Sequence, residues 1–317
     1  MGLGAYPAND KYFMGMLGMH GTYQANMAMH NADLIIAIGA RFDDRITNTP
    51  ALFAPKARII HIDVDPASIS KIITADIPIV GQVKESISAL IKEIKRSKLK
   101  IDSDALDAWN SQISTWRAKH GLDHELYLQK NKSKMILPQV VVQELYQATN
   151  GNAWVTSDVG QHQMFVAQYY HFNKPRRWIN SGGLGTMGFG LPAAMGAKLA
   201  APEKLCINVW GDAAIGFTGM DFETAVRENI PILSILFNNF SMAIEIPIMP
   251  VSQEKYGAIE ISGHYADMAK AFGGYGERVT DPNDIVAALE RGIEATRNGQ
   301  AALLEFITSQ EIDISNE

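Results

Sequence analysis

An acid and an amide stand at the ends of two apolar runs. Leu205-Cys206-Ile207-Asn208-Val209-Trp210 leads into Gly211-Asp212-Ala213-Ala214, and Ile232-Leu233-Ser234-Ile235-Leu236-Phe237 leads into Asn238-Asn239. A carboxylate oxygen and an amide oxygen brought to one place suit a hard cation such as Mg²⁺, which takes few protein ligands and shares the rest of its shell with phosphates. A helix starting just after either loop would turn its N-terminal N–H groups toward the same phosphates. The twenty-four residues between Ala213 and Asn238 give room for one crossover helix and a returning strand, so both ligands can reach one sheet edge. Taken singly, each motif has a plainer reading: Gly-Asp as a turn with an N-cap, Asn-Asn as a loop pair.

Other candidates lie upstream. Ala153-Trp154-Val155-Thr156-Ser157-Asp158 runs into Val159-Gly160-Gln161-His162-Gln163. A histidine in a cofactor cleft can donate to a developing alkoxide; the alternative for His162 is a helix-capping or structural role. Met187, inside a glycine-rich stretch, can serve as a pliable apolar wedge or as one more core methionine among 14. His61 lies inside an apolar strand and reads as a satisfied core residue. Arg41-Phe42-Asp43-Asp44-Arg45 on its own reads as a solvated salt-bridge loop.

These residues need a frame that brings strand ends together. Asp33–Gly39 and Ala57–Asp65 are near-continuous apolar runs that fit a parallel sheet covered on both faces. Helices are expected at His20–Met29 and Val83–Lys95. Further on, strands are expected at Ala153–Asp158, Trp178–Asn180, Leu205–Trp210, Ile232–Phe237 and Ala302–Phe306. Helices fit at Pro138–Thr149, Leu191–Leu199, Asp221–Asn229, Ala266–Phe272 and Pro282–Arg297. The fold class is therefore α/β with doubly wound parallel sheets. Boundaries follow composition: a first domain over 1–95, a charged connecting segment over 96–135 and a second domain over 136–317. In the connecting segment Leu106, Trp109, Ile113 and Trp116 are spaced for one helical face; a flexible linker is the alternative reading.

Composition bounds the function. The chain has 317 residues, 47% hydrophobic and 20% charged, which excludes a disordered or collagenous protein. Its 28 basic and 34 acidic residues give a net charge of −6, so no general attraction to nucleic acid or anionic membranes is expected. One cysteine, Cys206, forbids an internal disulfide and a cysteine-rich metal site. Neither a secretion signal nor a membrane-length apolar run is present, and the chain reads as cytoplasmic.

The motifs combine into a resemblance. Gly211-Asp212, its spacer and Asn238-Asn239 are similar to the thiamine diphosphate signature, with Ala213 in place of its third glycine. The run from Thr156 to Gln163, and Arg176-Arg177-Trp178-Ile179-Asn180-Ser181-Gly182-Gly183-Leu184-Gly185-Thr186-Met187-Gly188-Phe189-Gly190, resemble the acetolactate synthases, also called acetohydroxyacid synthases. Leu17-Gly18-Met19-His20-Gly21-Thr22, Gly39 to Arg45, and His61-Ile62-Asp63-Val64-Asp65 are similar to that family's central, flavin-binding domain.

The resemblance implies a partial central Rossmann-like domain and a complete diphosphate-binding domain. It implies Asp212 and Asn239 as Mg²⁺ ligands, with the Ser241 carbonyl as a third, and Gly211, Ala213 and Ala214 beside the diphosphate. Gln161 and His162 would contact the cofactor or the reacting groups. Gly185, Thr186 and Met187 would surround the aminopyrimidine. Leu17, Gly18, Met19, His20, Gly39, Arg41, Asp43, Asp63 and Val64 would line a flavin (FAD) site, and Arg45 the substrate entrance. The implied substrates are 2-keto acids, pyruvate and 2-ketobutyrate; a homo-oligomer and a small regulatory subunit are implied partners.

Three departures bear on the reading. The family's amino-terminal pyrimidine-binding domain, with the glutamate that activates the cofactor, has no counterpart here, so the chain alone is expected to be inactive. Gln82 stands where a flavin-contacting aspartate is common. Phe240 to Ile248 departs from the family pattern, with Ile248 at the position of the tryptophan that shapes the acceptor pocket. A related thiamine-dependent 2-keto acid decarboxylase, and a cofactor-binding remnant without activity, stand as the alternative readings.

Overall fold

The computed structural model describes residues 2–123, 126 and 134–311. The described residues divide into two units, one of residues 14–123 and the other formed by residues 2–13 together with 126 and 134–311. This differs from the sequence-based division at both ends. Residues 2–13 fold with the later unit: Ala8 N–H donates to the Phe172 carbonyl at 3.3 Å and Asn9 N–H to Asn173 Oδ1 at 3.0 Å. Part of the connecting segment, in turn, is a helix of the earlier unit. Ser103–His120 is capped by Asp102, and its Trp109 and Trp116 rings meet edge-on at 5.9 Å. His120 stacks on Tyr23 at 4.4 Å. The remainder of that segment includes residues 124, 125 and 127–133, outside the described ones.

The earlier unit carries a three-stranded parallel sheet, β1 (Leu34–Ile38), β2 (Arg58–Asp63) and β3 (Ile77–Val80), in that order. A helix precedes β1, starting at Tyr23 because Thr22 caps it by accepting from Ala25 N–H. Val83–Ser97 follows β3 as a helix. Coverage of β1 on both faces is not what forms. Side chains alternate along a strand, and Leu34, Ile36 and Ile38 share one face that is 42–47% exposed. The other face is packed, with Ala37, Phe42 and Ile59 at the centre of its apolar cluster.

The later unit holds six parallel strands: β4 (Trp154–Ser157), β5 (Trp178–Asn180), β6 (Cys206–Gly211), β7 (Leu233–Asn238), β8 (Tyr275–Val279) and β9 (Ala302–Ile307). Their order in the sheet is β5-β4-β6-β7-β9-β8. Sequence expectation finds five and misses β8. The inner strands are buried along nearly their whole length, as a parallel sheet with helices on both faces requires. Trp210, Phe222, Leu236 and Leu303 lie in the core cluster. No helix among the described residues is long and apolar enough to cross a membrane.

Candidate functional site

The winding of the six-stranded sheet reverses between β4 and β6: the chain leaves β4 to lay down β5 on one side, then returns to add β6 on the other. Open parallel sheets bind ligands beyond the carboxyl ends of their strands at such a point. Here the loops after β4 and β6 meet around one imidazole. His162 sits in the first turn of the helix Gln161–Tyr169. Gly160 precedes that helix with φ +146°, and a Cβ there would stand 2.9 Å from His162 Cε1. A Cβ on Gly211 would stand 3.0 Å from His162 Nδ1. Position 160 needs glycine for the ring to fit, and at Gly211 a side chain would press on it.

His162 is buried and its Nε2 has no hydrogen-bond partner among the described residues. Burial pushes the imidazole from its ordinary 6.5 down to about 3, against a hydrogen bond to the Asp158 backbone. The ring is therefore neutral near pH 7, with one unmade hydrogen bond that a ligand atom would satisfy. A stability consequence follows from the same burial. Below 6.5 the unfolded chain takes up a proton that the folded ring refuses, so stability is lost as pH falls from about 6.5 toward about 3. This histidine alone is expected to remove a few kcal/mol over that window. Urea midpoints measured from pH 7.5 to 4.5 should fall less steeply in His162→Gln; parallel profiles would refute the assignment.

Beside the imidazole, the loop after β7 folds onto the carboxylate of the loop after β6. Asp212 Oδ1 accepts from Ala213 N–H at 2.9 Å, and Oδ2 from Asn239 N–H and Ser241 N–H, both at 3.1 Å. Asn239 Oδ1 also accepts from Ser241 N–H at 3.0 Å. The hydrogen bonds that straddle Ser241 use the Phe240 carbonyl and the Met242 N–H, not the Ser241 carbonyl. Burial pushes the Asp212 carboxyl up to about 6, opposed by the backbone N–H groups of Ser241, Ala213, Asn239 and Phe240. A cation against this group would favour its ionised form. One carboxylate, one amide oxygen and one carbonyl suit a hard cation that completes its shell with phosphate oxygens. Ser241 Oγ, without a hydrogen-bond partner among the described residues, can donate to a phosphate oxygen, so the residues present fit Mg²⁺ and a diphosphate.

Asp158 was not singled out as a site residue by the sequence, yet it fixes the neighbouring loop. Fully buried at the end of β4, it accepts from Val159 N–H at 2.8 Å, from Gly188 N–H at 2.9 and 3.0 Å through its two oxygens, and from Gly190 N–H at 2.9 Å. Thr156 Oγ1 adds a bond to the Gly190 carbonyl at 2.8 Å. The 185–187 stretch is thus tied to β4. Gly185 N–H donates to the Ser181 carbonyl and Thr186 N–H to Ser181 Oγ. Gly185 and Thr186 are exposed, while Met187 packs half-buried against the core cluster. Gln161 points elsewhere: its Nε2 donates to the Glu311 carbonyl at 2.7 Å, a bond that a cofactor contact through this amide would have to replace.

In the earlier unit the expected flavin residues gather at the carboxyl edge of β1 and β2. Gly39 N–H donates to the Ile62 carbonyl next to Asp63 and Val64. Asn26, which the sequence did not flag, holds Gly18 from both sides, Oδ1 accepting from its N–H at 2.8 Å and Nδ2 donating to its carbonyl at 2.9 Å. Met19 N–H donates to the Arg45 carbonyl, and Arg45 Nη1 lies 3.4 Å from Met19 Sδ. Leu17–His20 and Gly39–Arg45 therefore form one loop cluster. Burial, with Arg45 nearby, pushes His20 down. Arg41 pairs with Asp43 at 3.0 Å at the surface, as a solvated ion pair would. Asp63 Oδ1 accepts from Asp65 N–H, and Val64 is exposed. His61 is buried as expected, with Nε2 2.9 Å from the Ala40 carbonyl and Phe42 edge-on at 5.0 Å, but it is not fully satisfied, since its Nδ1 has no hydrogen-bond partner among the described residues.

Comparison with known proteins matches two successive domains of one enzyme class to the chain. The profile for the thiamine pyrophosphate enzyme central domain matches residues 1–90, and the profile for the C-terminal TPP binding domain of the same enzymes matches residues 158–306. The chain is 44% identical over 308 residues to the large subunit of acetolactate synthase isozyme 3 of Escherichia coli (strain K12), covering 96% of this chain and 53% of that protein. It is 51% identical over 244 residues to the acetolactate synthase large subunit of Buchnera aphidicola subsp. Schizaphis graminum, covering 77% and 41%. Against acetolactate synthase 1, chloroplastic, of Nicotiana tabacum it is 37% identical over 309 residues, covering 93% and 45%. The chain thus spans about half the length of the relatives it matches. With two successive domains of one enzyme class matched in order, and a carboxylate, an amide and a partnerless histidine gathered at the switch point of the second, the chain belongs to the thiamine pyrophosphate enzymes, of which it carries the central and the C-terminal cofactor-binding domains.

Proposed function

We propose that the protein is the central and diphosphate-binding portion of an acetolactate synthase catalytic subunit, acting on pyruvate and a second 2-keto acid in branched-chain amino acid biosynthesis. The observation that carries this reading is the convergence of Asp212 and Asn239 beside His162, in a chain 44% identical to an acetolactate synthase large subunit. The chemistry that thiamine diphosphate supplies when bound is a carbon nucleophile and an electron sink for decarboxylating a 2-keto acid. The chain's own residues bind and orient. Asp212, Asn239 and the Ser241 carbonyl would hold Mg²⁺ against the diphosphate, flanked by Gly211, Ala213 and Ala214. Met187, half-buried against the core cluster, would support the aminopyrimidine end. His162, neutral and with its proton committed to the Asp158 backbone, has Nε2 left as an acceptor and would take a hydrogen bond from a hydroxyl of the reacting groups.

The loop cluster of the earlier unit would take FAD, with Asp63 accepting from a ribose or ribitol hydroxyl and the exposed Arg41 meeting a phosphate. Arg45, beside Met19, would stand at the substrate entrance. Ile248 is 68% exposed, so the acceptor pocket here would lack an aromatic wall at that position. A cytoplasmic homo-oligomer with a small regulatory subunit completes the proposal.

Product analysis tests it. The chain is supplied with thiamine diphosphate, Mg²⁺, FAD, pyruvate and, as a separate polypeptide, the half of an acetolactate synthase that it does not span. Acetolactate is the expected product; acetaldehyde without acetolactate would assign a 2-keto acid decarboxylase instead. Cofactor binding with no product from either route would leave a cofactor-binding protein.

A further inference from the structure

Strand β9 reads Ala302-Leu303-Leu304-Glu305-Phe306-Ile307, with one ionisable residue in an apolar run. Glu305 is fully buried, where an unpartnered carboxylate is costly. Both of its oxygens are engaged. Oε1 accepts from Asn238 Nδ2 at 2.7 Å, and Oε2 from Ala266 N–H at 3.0 Å. Arg278 Nε lies 3.9 Å from Oε1. At its other end Asn238 Oδ1 accepts from Phe240 N–H at 3.1 Å. A backbone N–H can only donate, so the amide must keep its oxygen toward Phe240 and its NH₂ toward the carboxylate.

What this chain of bonds holds is the turn that presents the candidate cation ligands. Phe240 has φ +58°, a left-handed conformation that a bulky side chain adopts where its surroundings enforce it. The turn places Asn239 and Ser241 over Asp212. From the other oxygen of Glu305, Ala266 lies in the first turn of the helix Tyr265–Ala271, and the one proton of Tyr265 Oη is shared between the Asp212 and Ser262 carbonyls, both at 3.1 Å. One buried carboxylate therefore braces both sides of the Asp212 loop.

We propose that Glu305 is a positioning residue for the cation site: through the Asn238 amide it holds the Phe240 turn, and through Ala266 the start of the helix whose tyrosine grips the Asp212 backbone. The inference rests on the reading of Asp212 and Asn239 as cation ligands. Glu305→Gln keeps the size but sets an NH₂ against either the Asn238 NH₂ or the Ala266 N–H. If Asn238 flips to relieve the first clash, Phe240 N–H loses its acceptor. The double variant Asn238→Asp with Glu305→Gln reverses the polarity of the shared bond and leaves both backbone donors an acceptor.

The test follows thiamine diphosphate binding to the full chain by calorimetry at a series of Mg²⁺ concentrations, with melting temperatures of the cofactor-free proteins alongside. Glu305→Gln is expected to raise the half-saturating Mg²⁺ concentration about tenfold. The double variant is expected to return it to within about threefold of the original value. A glutamate that only supports the core would lower the melting temperature and leave the Mg²⁺ requirement of the folded protein unchanged; that result overturns the proposal, as does a double variant that recovers neither fold nor Mg²⁺ binding. If Glu305→Gln alone does not fold, the double variant decides in the same way. Asp212→Ala separates the two layers of the argument. An Mg²⁺ requirement in Asp212→Ala within about threefold of the original removes the ligand reading and the Glu305 role with it, whereas a requirement raised about a hundredfold or more there with no change in Glu305→Gln overturns the Glu305 role alone.

Discussion

Asp212→Ala is expected to weaken Mg²⁺-dependent binding of thiamine diphosphate by at least about a hundredfold, more than outer-sphere changes around metal sites commonly do. The reason is the composition of the candidate ligand set. Asp212 supplies its one formal charge, while Asn239 and the Ser241 carbonyl are neutral oxygens, so its loss removes the main Coulomb attraction for a divalent ion in a partly desolvated pocket. The same change strips acceptors from Ala213, Asn239 and Ser241. Their N–H groups lie at a loop that water can reach once the carboxylate is gone, so the cost to the cofactor-free fold should stay near 1–3 kcal/mol, roughly that of one unmade buried hydrogen bond. Asn239→Ala, which removes one neutral ligand, should lose about tenfold in affinity. Calorimetry with and without a chelator checks both. Binding by Asp212→Ala within about threefold of the unaltered protein would mean that the cation is held elsewhere.

How far the sequence carries depends on where burial makes a pattern. β6 and β7 are inner strands, apolar on both faces, and they show as continuous runs whose polar ends mark the site. β8 and β3 are edge strands. Tyr275-Gly276-Glu277-Arg278-Val279 is half-buried and mixed in polarity, and Ile77-Pro78-Ile79-Val80 carries a proline that an edge tolerates, so neither stands out from a loop. Residues 2–13 join the later unit through backbone hydrogen bonds, which leave no side-chain periodicity to read. The candidate cation ligands could be singled out because both lie at strand ends separated by a spacing that one crossover explains. Their supports were not. Asp158 reaches Gly188 thirty residues on, and Asn238 reaches Glu305 across sixty-seven. The signal that remains is a lone carboxylate in or at the end of an apolar strand, where desolvation makes an idle charge expensive. Gln161 shows the opposite limit: its place in the motif was legible, but not the bond that turns its amide to Glu311.

Replacing Asp158 should cost the most stability of any single polar change around the site. Its carboxylate makes four hydrogen-bond contacts to three backbone N–H groups, those of Val159, Gly188 and Gly190. None has an obvious substitute: Asp158 is fully buried, and a Cβ placed on Gly190 would meet Asp158 N at 2.7 Å and Asn208 Oδ1 at 2.5 Å, so the segment is already in close contact with β4 and its neighbour. Asp158→Ala leaves three donors unpaired at about 1–3 kcal/mol each, less whatever water enters the space of the lost side chain. The expected loss is about 3–5 kcal/mol, read as a fall in the urea midpoint with an unchanged slope. Asp158→Asn keeps one acceptor oxygen and turns an NH₂ toward another donor, so it should lose roughly half as much. Because the same bonds tie down the segment that carries Gly185, Thr186 and Met187, the two variants should also lose thiamine diphosphate affinity in the order Asn before Ala, at saturating Mg²⁺ and under conditions where both are folded. Equal stability in all three proteins would show that the loop closes without this carboxylate. Lost stability with intact affinity would show that the 185–187 segment takes its position from other contacts.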